Sequence, residues 1–311
     1  MIIGANSSED LQSVDKPKNS NLKIACFNAR SINNKTTSIL EILKDRFIDI
    51  CCTTETWLKS NDSAIHSEIK DFGYDIESAP RAGRGGGVAF IFNTSRIKPI
   101  RNNVKKYTSF EALECTIKSS DELLRLCVIY RSTQGKSKSL HEQTNTSTFF
   151  DQIGDYLDRV LQKGGKPIIC GDFNFHVEDK LDLVAQKFVS LVKSKGLQQH
   201  IDKPTHIGGG TLDLLLTRKN ESDSISVLNM NIEPTIGMPT CDHYFIDFNV
   251  PFQINHSDGN TMIKKDYRNL SKIDIDAFRA DIEDSILCNP GIYNVKSTDE
   301  VKSTDEVVVE I

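Results

Sequence analysis

Gly171-Asp172-Phe173-Asn174 follows the apolar run Lys-Pro-Ile-Ile-Cys at 166–170, and it combines residue types that do chemistry. A run with β-branched residues reads as a buried strand, and a glycine at its end permits a sharp turn where the chain meets solvent. Side chains two apart on an extended segment point the same way. Asp172 and Asn174 are therefore expected to face one point while Phe173 faces the core. A carboxylate and an amide aimed at one point suit a metal ion or a phosphate. The competing reading is turn chemistry, because Asp and Asn also end strands by favouring turns.

Other strand ends carry similar groups. Asn28 follows Ile-Ala-Cys-Phe, Glu55 follows Asp-Ile-Cys-Cys-Thr-Thr, and Tyr130 and Arg131 close Leu-Cys-Val-Ile. Asp213 lies among leucines at 211–216, where a buried carboxylate needs a partner. Asp242 and His243 open the last strand. Singly, each also reads as a cap or a turn; the ordered set is harder to explain that way.

The elements that must position these groups follow from hydrophobic periodicity. Strands are predicted at 22–28, 48–54, 74–78, 88–93, 111–118, 124–130, 167–170, 212–217, 225–232 and 244–250, with helices at 36–47, 148–162 and 185–195. Many strands with a few long helices suggest two packed sheets covered by helices. Gly83-Arg84-Gly85-Gly86-Gly87 lacks the Lys-Ser/Thr of a phosphate loop and reads as a hairpin turn.

At 311 residues, 38% hydrophobic and 26% charged, the chain is long enough for one large domain and has the composition of a soluble protein. Three parts are expected: a disordered polar leader (1–21), a domain (22–250), and an acidic connector with a low-complexity tail (251–311). Residues 251–311 hold seven Lys/Arg against twelve Asp/Glu, so most of the net charge of −5 sits there and the domain is near neutral. A near-neutral domain still binds nucleic acid if its cations cluster at a cleft. Candidates are Arg81 with Arg84, Lys105 with Lys106, and Lys136 with Lys138; each pair reads more readily as a solvated loop. The tail has an amphipathic stretch at 273–287 and then Val-Lys-Ser-Thr-Asp-Glu twice, expected to be disordered. The start of the chain has no basic, apolar leader, and no segment has 18 uninterrupted apolar residues, so neither secretion nor membrane spanning is expected. Cys26, Cys51, Cys52, Cys115, Cys127 and Cys170 lie in strand-like runs without zinc-site spacing. They read as reduced core thiols of a nuclear or cytoplasmic protein.

In their order, Phe-Asn-Ala-Arg-Ser (27–31), Thr-Glu-Thr-Trp-Leu (54–58), Ile-Tyr-Arg-Ser (129–132), Gly-Asp-Phe-Asn-Phe-His (171–176), Leu-Asp-Leu-Leu-Leu-Thr (212–217) and Cys-Asp-His (241–243) resemble the motifs of the endonuclease/exonuclease/phosphatase superfamily. The resemblance covers about 22–250. It implies a DNase I-like fold, a four-layer αββα sandwich of two packed mixed β-sheets flanked by helices. Arg-Gly-Gly-Gly-Val-Ala (84–89), Pro-Thr-His (204–206) and the Phe-His after Gly-Asp-Phe-Asn are similar to the apurinic-like endonuclease domain of non-LTR (LINE-type) retrotransposons. Tyr-Arg-Asn-Leu-Ser-Lys-Ile-Asp (267–274) and Phe278 look like the connector before reverse transcriptase in such elements. No reverse transcriptase follows, which suggests a truncated element or an isolated nuclease module.

The resemblance implies a Mg²⁺-dependent endonuclease, with Mn²⁺ as an alternative, that nicks DNA to leave a 3′-hydroxyl. Glu55 and Asn28 would hold the metal, with Asp242 a further ligand. Asp172 would orient or deprotonate water, Asn174 would position it, and Tyr130 would contact the phosphoryl group. His243 would donate to a phosphate oxygen or act as acid/base, with Asp213 fixing its tautomer. Because neighbours on a regular strand face opposite ways, Asp242 and His243 can share a site only where the backbone is irregular. Arg131, His176, Arg84 and His206 are candidate DNA contacts; for His176 and His206 an ordinary partly buried imidazole is the rival reading. Trp57 is expected to pack under the Glu55 loop, and Cys241 stands where this family usually has serine. DNA is the implied partner, with a reverse transcriptase from another chain, and the expected state is a monomer. Two alternatives stand: a phosphatase or RNase branch of the superfamily, and an inactive DNA-binding remnant of a retroelement.

Overall fold

The computed structural model describes residues 21–81, 85–132, 140–219, 224–235, 241–254 and 275–283. The chain divides into two compact units, Met1–Ser257 and Asp258–Ile311. Alternation along the first strand, β1 (Asn21–Asn28), sets the layers of the first unit. Leu22, Ile24 and Cys26 are buried on one face, and Ala25 and Phe27 on the other. A strand apolar on both faces belongs inside a sheet covered on both sides.

The first unit continues with α1 (Thr36–Asp45), β2 (Ile50–Thr54), α2 (Ser63–Asp71), β3 (Tyr74–Ala79), β4 (Val88–Asn93), β5 (Ile100–Asn102) and β6 (Glu111–Lys118). Next come β7 (Leu123–Tyr130), α3 (Leu140–Gln162), β8 (Lys166–Asp172), α4 (Leu183–Ser194), β9 (Leu197–Gln199), β10 (Asp213–Arg218), β11 (Leu228–Glu233) and β12 (Phe245–Pro251). They form two six-stranded mixed sheets, ordered β11-β12-β1-β2-β4-β3 and β5-β6-β7-β8-β10-β9. The β1–β2 and β7–β8 pairs are parallel and the remaining pairs antiparallel.

Three apolar clusters separate four layers. Ile24, Cys26, Ile50 and Phe248 of the first sheet meet Leu126, Val128, Ile168, Cys170 and Leu215 of the second. Outside the first sheet, Ile39, Leu40 and Leu43 of α1 and Ile69 of α2 cover Ala25, Phe27 and Cys51. Outside the second, Phe149, Ile153 and Tyr156 of α3 and Phe188 of α4 cover Ile129, Ile169 and Leu214. Each fully buried aliphatic or Phe side chain contributes about 1.5–3 kcal/mol relative to exposure. The αββα sandwich expected from the sequence is the observed fold.

Every predicted strand and helix of the domain is present, and the differences lie at the ends and in the shortest elements. Helix α2, nine residues long with only Ile69 fully buried, is not among the predicted helices. Strands β5 and β9 have three residues each, too few to alternate legibly. β11 starts at Leu228 rather than 225, with a register shift between Leu228 and Asn231 and a left-handed Asn229 (φ 48°). β3 and β4 pair antiparallel from Tyr74↔Asn93 to Ala79↔Val88, so the glycine-rich segment does join a hairpin.

The described part of the second unit is α5 (Ile275–Glu283), inside the expected amphipathic stretch. Asn21, expected in the leader, opens β1, while residues 1–20, the connector motif at 267–274, the duplicated hexapeptide, Arg84, Lys136 and Lys138 lie outside the described residues. No helix among the described residues is long and apolar enough to cross a membrane.

Candidate active site

Strand register assembles the site. Tyr130 pairs with Asp172 across β7–β8, and Asp172 with Asp213 across β8–β10, so the three form one row across the second sheet. They continue the face of Val128, Cys170 and Leu215, which looks toward the first sheet. Asn28 ends β1 on the matching inter-sheet face, two residues beyond Cys26. The two sheets thus bring polar strand ends together at one edge of their common core.

Asn28 is the hub. Its Nδ2 lies 2.8 Å from Asp172 Oδ2, 3.2 Å from Glu55 Oε1 and 3.4 Å from His243 Nε2. Its Oδ1 accepts the Arg30 backbone N–H at 3.0 Å, which fixes the orientation of the amide. Glu55 also accepts from the Tyr130 hydroxyl (3.0 Å) and from Trp57 Nε1 (3.3 Å). Asp172 accepts from the Asn174 backbone N–H (2.9 Å) and from its Nδ2 (3.1 Å). The amide arrives through a left-handed turn at Asn174 (φ 52°), not by strand alternation, while Phe173 is buried as expected.

Glu55 and Trp57 are left-handed too, at φ 50° and 55°. The glycine-rich hairpin holds them: the Thr56 and Trp57 N–H groups donate to Gly87 and Gly86 carbonyls at 3.2 and 2.8 Å. At Gly87 (φ 89°) a Cβ would collide with Thr56 Oγ1, and its N–H donates to Glu111 Oε2 at 2.6 Å. The turn therefore shapes the Glu55 loop as well as closing the hairpin.

His243 sits just before β12, in an isolated antiparallel bridge with His206, so the backbone there is irregular as a shared Asp242/His243 site requires. Its Nδ1 lies 2.7 Å from Asp213 Oδ2, and its Nε2 is 3.8 Å from Asp172 Oδ2. The buried Asp213 Oδ1 takes no hydrogen bond among the described residues. Asp242 pairs with Arg30 Nη1 at 2.8 Å and lies 3.6 Å from His206 Nε2. The Cys241 thiol donates to the Asn28 carbonyl at 3.4 Å, bracing the loop where the family usually has a hydroxyl.

Burial, and then the Asp213 carboxylate, push Asp172 up to about 8 against the hydrogen bonds that favour its charge. Burial also opposes charge on His243, but the Asp213 carboxylate outweighs it and holds the imidazole up at about 9. Burial, with Glu55 beside it, keeps the Tyr130 phenol protonated well above its ordinary range.

The described candidate DNA contacts have partners of their own. Arg131 is half-buried, with its guanidinium over the Phe149 and Phe175 rings and donating to the Phe173 and Asn174 carbonyls. His176 is exposed, its Nδ1 2.8 Å from Glu178 Oε1. His206 packs edge-on against His243 with 5.0 Å between ring centroids, and its Nδ1 accepts the Gly208 N–H. Three contributors had no role assigned from sequence. Arg30 reaches Asp242; Thr205 accepts the Leu212 and Asp213 N–H groups on its hydroxyl at 3.0 Å each; and the buried Lys35 ammonium donates to the Ala29 and Arg30 carbonyls. Arg30 and Thr205 lie inside motifs quoted above, so their position was visible and their partners were not.

The donor set suits a hard divalent cation. Glu55, Asp172 and Asp213 offer carboxylate oxygens, and the ligand atoms of Asp172, Asp213 and His243 all lie within 4.8 Å of one another. Burial and then the neighbouring Asp213 carboxylate raise Asp172, and a cation would relieve the repulsion between the two.

The sequence matches the endonuclease/exonuclease/phosphatase family over residues 25–227. The chain belongs to that family. As an endonuclease/exonuclease/phosphatase family member it is a hydrolase, of a superfamily that acts on phosphate esters. Solved structures share the fold at low identity. An AP endonuclease from Archaeoglobus fulgidus is 18% identical, with 73% of this chain and 98% of that one covered and a TM-score of 0.58. The 3′-5′ exonuclease NExo from Neisseria meningitidis is 15% identical (74% and 100% covered, TM-score 0.61). The endonuclease domain of TRAS1, a telomere-specific non-LTR retrotransposon, is 14% identical (75% and 99% covered, TM-score 0.55). No curated protein sequence matched.

Proposed function

We propose that the chain is a Mg²⁺-dependent DNA endonuclease of the retrotransposon type, which nicks its target to leave a 3′-hydroxyl. The observation that carries this reading is the meeting of Glu55, Asp172 and the His243–Asp213 pair around the Asn28 amide. The motif series supports the branch, and the fold likeness to the TRAS1 domain and an AP endonuclease agrees with it.

When bound, Mg²⁺ would offset phosphodiester charge and polarise phosphorus, with Glu55 its carboxylate ligand. Asn28 directs its amide nitrogen at the carboxylates, so it would ligate through Oδ1 only after releasing the Arg30 N–H. Asp242 would join only by loosening its pair with Arg30. Asp172 in its charged form, which Asn28 and Asn174 favour, takes a proton from the attacking water. The water oxygen bonds to phosphorus, the bond to O3′ breaks, and that oxygen takes up a proton from solvent water to leave a 3′-hydroxyl opposite a 5′-phosphate. The His243 imidazolium, paired with Asp213, donates to a phosphate oxygen, and the Tyr130 hydroxyl contacts the phosphoryl group. His176 and His206 are the remaining proposed DNA contacts among the described residues.

DNA is the partner, with reverse transcriptase supplied by another chain and the nuclease acting as a monomer. The described cysteines are all free, which supports action in a reducing compartment, nucleus or cytoplasm. The test is nicking of supercoiled plasmid by purified protein with Mg²⁺ or Mn²⁺, and polymerase extension from the nick to show its 3′-hydroxyl. Chelation and His243→Ala should each abolish it. A 3′-phosphorylated oligonucleotide and an RNA of the same sequence separate this reading from the phosphatase and RNase branches.

A further inference from the structure

Arg131 directly follows Tyr130 at the end of β7, where a cation would be expected to reach for phosphate. Its guanidinium turns inward instead. The central carbon stands 4.1 Å from the Phe175 ring centroid and 5.1 Å from that of Phe149. Nη1 donates to the Phe173 carbonyl at 3.3 Å and to the Asn174 carbonyl at 3.1 Å. The exchange is reciprocal, because Asn174 Nδ2 donates to the Arg131 carbonyl at 2.7 Å and the Arg131 N–H donates to the Asp172 carbonyl at 2.9 Å.

We propose that Arg131 is a positioning residue, whose guanidinium clamps the 173–174 backbone in the left-handed turn that aims the Asn174 amide at Asp172. Asn174 has φ 52°, a left-handed conformation that asparagine reaches at lower cost than most residues with a Cβ, and the clamp selects it. It comes two residues after the end of β8, beyond the last ladder pair of Asp172 with Asp213. Two carbonyls on one side of the turn converge on a single nitrogen of a planar group, and two aromatic rings fix the plane of that group. Arginine suits this better than lysine, since its planar guanidinium lies over the rings while Nη1 donates, and an ammonium on a flexible stem has no plane to stack. The same clamp keeps the guanidinium away from a bound strand. Asp172 thus owes its two Asn174 hydrogen bonds to a residue that does not touch it with its side chain.

The activity arm of the test rests on the nuclease reading; the spectroscopic arm does not. Arg131→Lys and Arg131→Gln are made in the full chain. Single-turnover nicking should fall about 30-fold or more in Arg131→Lys, the order expected when a reacting group is misplaced by a fraction of an ångström. DNA affinity should stay within about twofold, and its dependence on salt should be unchanged, because no phosphate contact is lost. Without DNA or metal, the Asn174 side-chain amide protons should exchange with solvent about tenfold faster in either variant, as a freed surface amide does. In the unsubstituted protein, the Arg131 guanidinium resonances should not move when DNA is added without metal.

A salt slope reduced by about one, or guanidinium resonances that shift with DNA, would make Arg131 a phosphate ligand and overturn the proposal. Unchanged nicking and unchanged Asn174 exchange beside a lower melting temperature would reduce it to core packing. If the parent does not nick but Asn174 exchange rises as expected, the clamp stands and the nuclease reading fails.

Discussion

Asn28 and Asp172 are 144 residues apart in sequence and lie on different sheets, yet a 2.8 Å hydrogen bond runs from Asn28 Nδ2 to Asp172 Oδ2. Asp172 is fully buried, and the bond favours its charged form against the burial and the Asp213 carboxylate that push it up to about 8. Asn28→Ala removes an aimed donor and should lower single-turnover nicking by about 10²-fold, as loss of one preorganised donor does elsewhere. A rate equal to the parent's would show that Asn28 serves the fold alone.

His243 is held up at about 9 from an ordinary 6.5, because Asp213 outweighs burial. The fold therefore favours the imidazolium. Its contribution to stability is fully present below about pH 6.5 and is lost as pH rises through about 9. An NMR titration of the metal-free protein should find the His243 transition near the upper end of that window. In Asp213→Asn, burial acts with less opposition, so the transition should move down and the alkaline limit of nicking should move with it. A titration unmoved by that substitution would sever the proposed link between the two residues.

Gly171 has φ 135°, and a Cβ there would strike the Ile129 carbonyl of the neighbouring parallel strand. Gly171→Ala must part β7 from β8 beside the row of Tyr130, Asp172 and Asp213. The expected cost is above about 3 kcal/mol, at the far end of single substitutions. Urea unfolding followed by circular dichroism measures it; a loss under about 1 kcal/mol would mean the strands yield easily.

Asp247 is fully buried and takes Arg46 Nη1 at 2.9 Å, Lys23 Nζ at 3.1 Å and Asn231 Nδ2 at 3.2 Å. Arg46→Met deprives it of its closest cation and should cost about 3 kcal/mol, the lower end for breaking a buried pair because Lys23 remains. Equilibrium unfolding of Arg46→Met and of the double variant with Asp247→Leu checks this, since removing both charges should recover stability.

Period-two runs of Val, Ile, Leu and Cys made the long strands readable, because apolar residues on both faces have few other uses. Val88–Asn93 and Glu111–Lys118 coincide with their expected spans. Helix α2, with a single fully buried side chain, left no such trace, nor did the three-residue strands. The polar strand ends stood out for the same reason: Asp172, Asp213 and Asn28 each interrupt or end an apolar run. What each of them touches was hidden. The glycine-rich turn read as a hairpin and is one, but its grip on the Glu55 loop needs β4 seated beside β2.

The chain by itself determined which residue types end which strands, since burial and alternation are written into neighbouring positions. Only the tertiary structure decided their partners, because a bond such as Asn28 to Asp172 depends on the order and register of strands from two sheets. Arg131 marks the boundary between the two. Its charge and its place after Tyr130 were plain in the sequence, whereas its inward direction was set by Phe149 and Phe175, which helix α3 and the turn after β8 bring against it.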